Sequence, residues 1–170
     1  YALYHEGDYL DEYGINHGSG IKTGSTVWAP VNCGYHATDY PSGKFYQWGR
    51  RYGQGLIPGY DATVPTIITE HATLEMAQSE ENKNVFYAVS NSWSVESYTD
   101  LWNLATSGEP IKSEYDPCPD GWRVPTISEM KIFTYDLGFG YYPNMDKCCS
   151  VNRDDGSVAL KTLSYRSETG

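Results

Sequence analysis

The stretch DPCPDGWRVPTISEM, residues 116–130, decides how the rest of the chain is read. Pro117 and Pro119 bracket Cys118, fix the backbone on both sides and present the thiol in one direction. Asp120-Gly121 is a turn signal. Trp122 and Val124 alternate with Arg123, so a short extended piece would bury Trp122 and Val124 and turn Arg123 away. Pro125 ends that piece. Thr126 and Glu129 then have the T-x-x-E spacing of a capping box, which predicts a helix through ISEMKIFTYDL that Gly138 terminates. Met130, Phe133 and Leu137 form its apolar stripe. Every residue of the stretch has an architectural role: a helix is docked onto a strand beside a cysteine.

Working outward, 170 residues suit one domain with a real hydrophobic core. The net charge of −10 argues against a nucleic-acid backbone or an anionic membrane surface as partner. No run of eighteen apolar residues is present, so no membrane span is expected. The chain begins at Tyr1 with neither a methionine nor a signal-peptide core, and it reads as a processed protein or an excised fragment. Sixteen tyrosines and five tryptophans are a heavy aromatic load. Together with frequent Gly, Pro, Ser, Thr and Asn they predict a loop-rich α+β fold rather than a helical bundle.

Between the ends, TGSTVWAPVNCGY reads as a turn and a strand, with Val27 and Val31 flanking an edge or bulge. GKFYQWGRR predicts a short helix from about Gly43 to Arg51, with Phe45, Tyr46 and Trp48 buried and Arg50-Arg51 facing its C-terminal dipole. ATVPTIITE and NVFYAVSNSW read as strands, the second with Val85, Tyr87 and Val89 on one face. YTDLWNLATSG suggests a short helix or turn.

The four cysteines lack the pair spacing of a zinc site, and His5, His17, His36 and His71 are scattered. Disulfides and an extracytoplasmic location fit better. A Cys33–Cys118 bridge is the first choice, since both lie in turn-like contexts. Cys148 and Cys149 could form a vicinal bridge, stay reduced or take other partners, and three complete pairings are open.

VWAPVNCGY, GKFYQWGRRYG and DPCPDGWRVPTISEM, in this order, resemble the Fibrobacter succinogenes major paralogous domain family of surface and secreted proteins in Bacteroidetes. The resemblance covers roughly residues 26–138; 139–170 is an atypical tail in which SVALKTLSYR could supply one strand. It implies one domain over 1–170 with a C-type-lectin-like fold: two short helices flanking a small twisted antiparallel sheet, with long irregular loops.

The calcium and sugar motifs of lectins with that fold are incomplete here. Ile111 follows Glu109-Pro110, and Leu104 follows Trp102-Asn103. Asn152, Asp154 and Asp155 read as a solvated Asx turn rather than a calcium loop. Formylglycine-generating enzymes share the general fold and use a reactive cysteine pair, a pattern that Cys148-Cys149 does not reproduce. Glu80-Glu81 and Asp154-Asp155 are adjacent and point apart, unlike glycosidase pairs. The expectation is therefore a non-enzymatic recognition domain without cofactor or metal. It would bind a glycan or protein ligand as an adhesin, such as a module at the tip of a fimbria. The alternative is a structural subunit packing on sister subunits in an appendage or virion.

Candidate contacts are three polar-aromatic loops. The first carries Tyr35, His36, Asp39 and Tyr40. The second carries Asn91, Trp93 and Tyr98, and the third Tyr141, Tyr142 and Asn144. Trp93, set among Ser and Asn, is the contact of most interest, and the alternative, a strand-end residue that caps the core, is favoured over exposure.

Overall fold

The computed structural model describes residues 2–3, 7–23, 26–90, 92–105, 108–126 and 128–130. The chain packs as two compact units, one of Tyr1–Cys33 with Cys118–Gly170, the other of Gly34–Pro117. Both are α+β in character, with short strands joined by long turns.

The first unit is built on a four-stranded antiparallel sheet. Its strands are β1 (Ala2–Leu3), β4 (Ile21–Thr23), β5 (Thr26–Trp28) and β8 (Trp122–Arg123), in the order β4-β5-β1-β8. The first strand of the chain is thus central, pairing Ala2 with Trp28 on one side and with Arg123 on the other. A separate hairpin joins β2 (Asp8–Leu10) to β3 (Asn16–Ser19). Its turn is organised by Asp11, whose Oδ1 accepts the N–H groups of Tyr13 and Ile15 while Gly14 takes a positive φ. Tyr9, Trp28, Cys33, Cys118 and Trp122 form the buried interior, with the Tyr9 and Trp122 rings edge-to-face at 5.0 Å.

The expected reading of residues 116–130 holds at Trp122, which is buried, and at the capping box. Thr126 Oγ1 accepts the Glu129 N–H, Glu129 Oε2 accepts the Thr126 N–H at 2.8 Å, and residues 128–130 are helical. Arg123 departs from it. Instead of facing away it is buried, and it grips both Glu129 carboxylate oxygens, at 2.6 and 2.8 Å. The helix-capping glutamate supplies a fixed, half-buried carboxylate that the alternation rule cannot anticipate. The rest of the expected helix, with Phe133, Leu137 and Gly138, lies outside the described residues, as do Cys148, Cys149 and SVALKTLSYR.

The second unit holds β6 (Thr66–Ile68), β7 (Val85–Tyr87), helix α1 (Leu74–Gln78) and a 3-10 turn (Glu80–Asn82). β6 and β7 pair in parallel, as a connection through a helix allows. Thr73 caps α1 by accepting the Met76 N–H, and Ser79 ends it and in turn caps the 3-10 turn. Ala72, Ala77, Tyr87, Trp93 and Leu101 make the core, with Val85, Val89, Ile68 and Leu74 packed on it. Of the two faces that the alternation separates, that of Val85, Tyr87 and Val89 is the inward one.

The helix expected from Gly43 to Arg51 does not form. The segment is a series of turns, with Gly43 and Gly49 at φ +80° and +82° and Phe45 bridged to Gln54. Arg50 and Arg51 therefore close no helix dipole. Two glycines in the left-handed region break the α pattern that the aromatic clustering suggested. Residues 98–105 are bends and irregular chain, anchored by a bridge between Asn103 and Lys112.

Candidate recognition site

Of the three expected contact loops, the first is a surface, the second is core, and the third lies outside the described residues. Residues 35–44 form a tight turn in which the His36 N–H donates to the Tyr40 carbonyl and the Tyr40 N–H donates to that of His36. The Asp39 N–H donates to His36 Nδ1 at 3.1 Å, so the neutral ring carries its proton on Nε2. Thr38 Oγ1 lies 3.2 Å from the same nitrogen and donates to Asp39 Oδ1. Asp39 is exposed, with Tyr35, His36 and Tyr40 half-buried.

This turn is tied to a second loop that the sequence reading missed, GLIPGYDAT at residues 55–63. Tyr40 Oη meets Thr63 Oγ1 at 2.7 Å, Ser42 Oγ lies 3.4 Å from Tyr60 Oη, and the Ala62 N–H donates to the Asp39 carbonyl. Asp61 shapes the second loop from within, its Oδ2 accepting the N–H groups of Leu56 and Ile57, both at 2.8 Å. Gly55 has no room for a side chain, since a Cβ there would lie 2.3 Å from the Thr63 carbonyl oxygen. Tyr60 is 42 % exposed, and Lys44 Nζ sits 4.9 Å from the Tyr40 ring centre. The Pro58-Gly59 turn signal followed by Tyr-Asp was the available clue to this loop.

The second expected loop is a core element. Trp93 is 4 % exposed, and its Nε1–H donates to the Trp48 carbonyl. It is no ligand contact: the indole fills the core and satisfies its one polar atom on a backbone oxygen. The exposed indole is Trp48, at 42 %, where burial was expected. Tyr98 packs against the same core and donates to Glu96 Oε2 at 2.6 Å, a bond that raises the pKa of its hydroxyl. Asn91, Tyr141, Tyr142 and Asn144 lie outside the described residues.

Asn103, where a lectin of the expected fold would hold its ion, is spent locally. Its Oδ1 accepts the N–H groups of Ala105 and Ile111. Among the described residues no three His, Cys, Asp or Glu side chains gather as a metal-binding group. Nor is any helix among them long and apolar enough to cross a membrane. Cys33 and Cys118 are both buried in the first unit, and the expected disulfide does not join them in this structure. Compared with family models, with curated proteins and with solved structures, the chain finds no match.

Proposed function

We propose that the chain is a non-enzymatic recognition module of an extracellular or cell-surface protein, C-type-lectin-like in fold. It binds a glycan or protein ligand through the face made by residues 35–44 and 55–63, in the manner of an adhesin or a fimbrial tip module. The observation that carries the reading is the cross-loop pair Tyr40–Thr63 with Tyr60 beside it. Two tyrosine rings are held at their hydroxyl ends, so they lose little further entropy when a ligand stacks on them. His36 and Asp39 set hydrogen-bonding groups at the edge of the same turn, as sugar hydroxyls or a polar peptide require.

A glycan-array screen of the purified chain, with and without EDTA, tests it. Saturable binding that falls at least tenfold in Tyr60→Ala, with an unchanged melting temperature, is the expected result. A blank array turns the reading toward assembly. The observation favouring that second reading is the apolar exposure of Leu56, Ile57, Val64 and Ile67 along a short segment of the second unit. Sedimentation that shows concentration-dependent association, lost in Ile67→Lys, would establish it.

A further inference from the structure

The parallel pair of the second unit has two outer edges, and the fold treats them differently. That of β7 is closed by side chains: Gln47 bonds both main-chain groups of Tyr87, and the Arg50 guanidinium donates to the Val85 carbonyl. That of β6 is left open. The Thr66 N–H donates to the Asn84 carbonyl at 2.9 Å, and the Ile68 carbonyl accepts the Ala88 N–H at 2.7 Å. With Ile67 opposite Phe86 in a parallel ladder, these two bonds fix the phase of the strand. Thr66 and Ile68 turn their main-chain groups toward β7, and Ile67 turns its own away. Neither the Ile67 N–H nor its carbonyl meets a partner among the described residues.

The side chains along this edge are those of a strand that accepts a neighbour. Ile68, Val85 and Tyr87 belong to the core, so Ile67 and Phe86 stand together on the opposite face. Ile67 is 57 % exposed there, with Phe86 half-buried beside it. Val64, Thr66 and Thr69 are exposed as well. Sheet edges are ordinarily guarded by a lysine, an inward-pointing charge or a proline within the strand. From Ala62 to Thr69 no residue is charged, and Pro65 stands before β6 rather than in it. Glu70 ends the uncharged run, exposed and without an ion pair among the described residues.

We propose that the open edge of β6 receives an extended, basic segment of another protein as a third strand. The main chain of that segment bonds to the Ile67 N–H and carbonyl. One of its side chains, apolar, lies against Ile67 and covers Phe86. A Lys or Arg of the segment meets Glu70 where the strand ends. Charge selects this occupant over a second copy of the chain, because two copies bring together two bodies of net charge −10, whereas a basic segment is drawn to one. The proposal is independent of what the loop face binds.

The test pans a random-peptide phage library on the whole chain and remakes the enriched sequences as synthetic peptides. Sequences that alternate apolar residues with others and carry Lys or Arg are expected, and their binding should slow hydrogen exchange of the Ile67 amide, followed by NMR. Ile67→Pro removes a donor that β7 does not use, so the strand pair tolerates it. It should weaken binding by roughly tenfold or more, whereas Ile67→Val should retain it. Methylating alternate main-chain nitrogens of the peptide should weaken binding to the unaltered chain to a similar degree, which decides the question even if Ile67→Pro does not fold. A library that yields no enriched sequence overturns the proposal. So does binding that leaves the Ile67 amide unprotected or survives methylation in every register. Protection of that amide without peptide, rising with the concentration of the chain, overturns it in favour of a second copy.

Discussion

Arg50 lies wholly inside the second unit with its guanidinium spent on backbone. It donates to the carbonyls of Ala77, Asn82 and Val85 and to Gln47 Oε1, and it stacks 5.0 Å from the centre of the Tyr87 ring. Burial pulls its pKa below the usual arginine value. The fork-shaped fan of donors is what lets one side chain close three carbonyls from α1, the 3-10 turn and β7. Arg50→Lys keeps the charge but cannot span that set, and it should cost about 2–4 kcal/mol, read from urea unfolding. An unchanged urea midpoint would refute this role. The tryptophans teach a related lesson. Sequence context offered Trp93 as a loop contact or a core cap and placed Trp48 inside; the structure makes Trp93 a core residue and leaves Trp48 exposed. A Ser/Asn neighbourhood describes the chain beside an indole, not what its ring packs against, and Trp93 is made acceptable in the core by one backbone carbonyl.

Strand β7 shows how an element this short is stabilised. β6 pairs with one edge of it, and on the other Gln47 takes the place of a strand. The Tyr87 N–H donates to Gln47 Oε1 at 2.9 Å, and Gln47 Nε2 donates back to the Tyr87 carbonyl at 3.0 Å. Gln47→Leu leaves both Tyr87 groups unsatisfied in a buried setting and should cost about 2 kcal/mol by chemical denaturation, whereas Gln47→Glu retains only the acceptor half. At the other motif, Thr126→Ala removes the helix cap and should cost about 1 kcal/mol. The strands around Val27, Ile67 and Phe86, the extended Trp122 and the capping box were legible in the sequence because each is a local pattern, whereas β1 to β4 carry no such signal. Gln47 was not, because an amide side chain standing in for a strand is separated by 40 positions from the backbone it serves.

At the scale of the whole molecule, carboxylates held in their charged form tie stability to pH. Burial alone would raise the pKa of Asp11, but the hydrogen bonds from His17 and from the Ile15 and Tyr13 N–H groups hold it below its usual value. Glu129 behaves alike: burial raises its pKa, and Arg123 with the Thr126 N–H lowers it further than burial lifts it. A carboxyl with a depressed native pKa binds fewer protons folded than unfolded. Its contribution is therefore complete well above the unfolded value of about 4, shrinks as pH falls through that region and is gone below the native pKa. Urea midpoints should accordingly be flat from pH 7 to about 5.5 and decline toward pH 3, with a shallower decline in Glu129→Gln. An unaltered acid profile in that variant would show that Glu129 adds nothing to it. The sequence by itself determined the α+β class, the extended Trp122, the capped helix start, the strands around Val27, Ile67 and Phe86, and one of the loops of the candidate site. These follow from alternation, caps and turn residues, which act over a few positions. Only the tertiary structure decided the division into two units, the burial of Trp93 and Arg123, the replacement of a helix by turns at 43–51 and the joining of the His36–Tyr40 turn to the Tyr60 loop. Each depends on contacts between segments far apart in the chain, where the packing of side chains against distant backbone outweighs local preference.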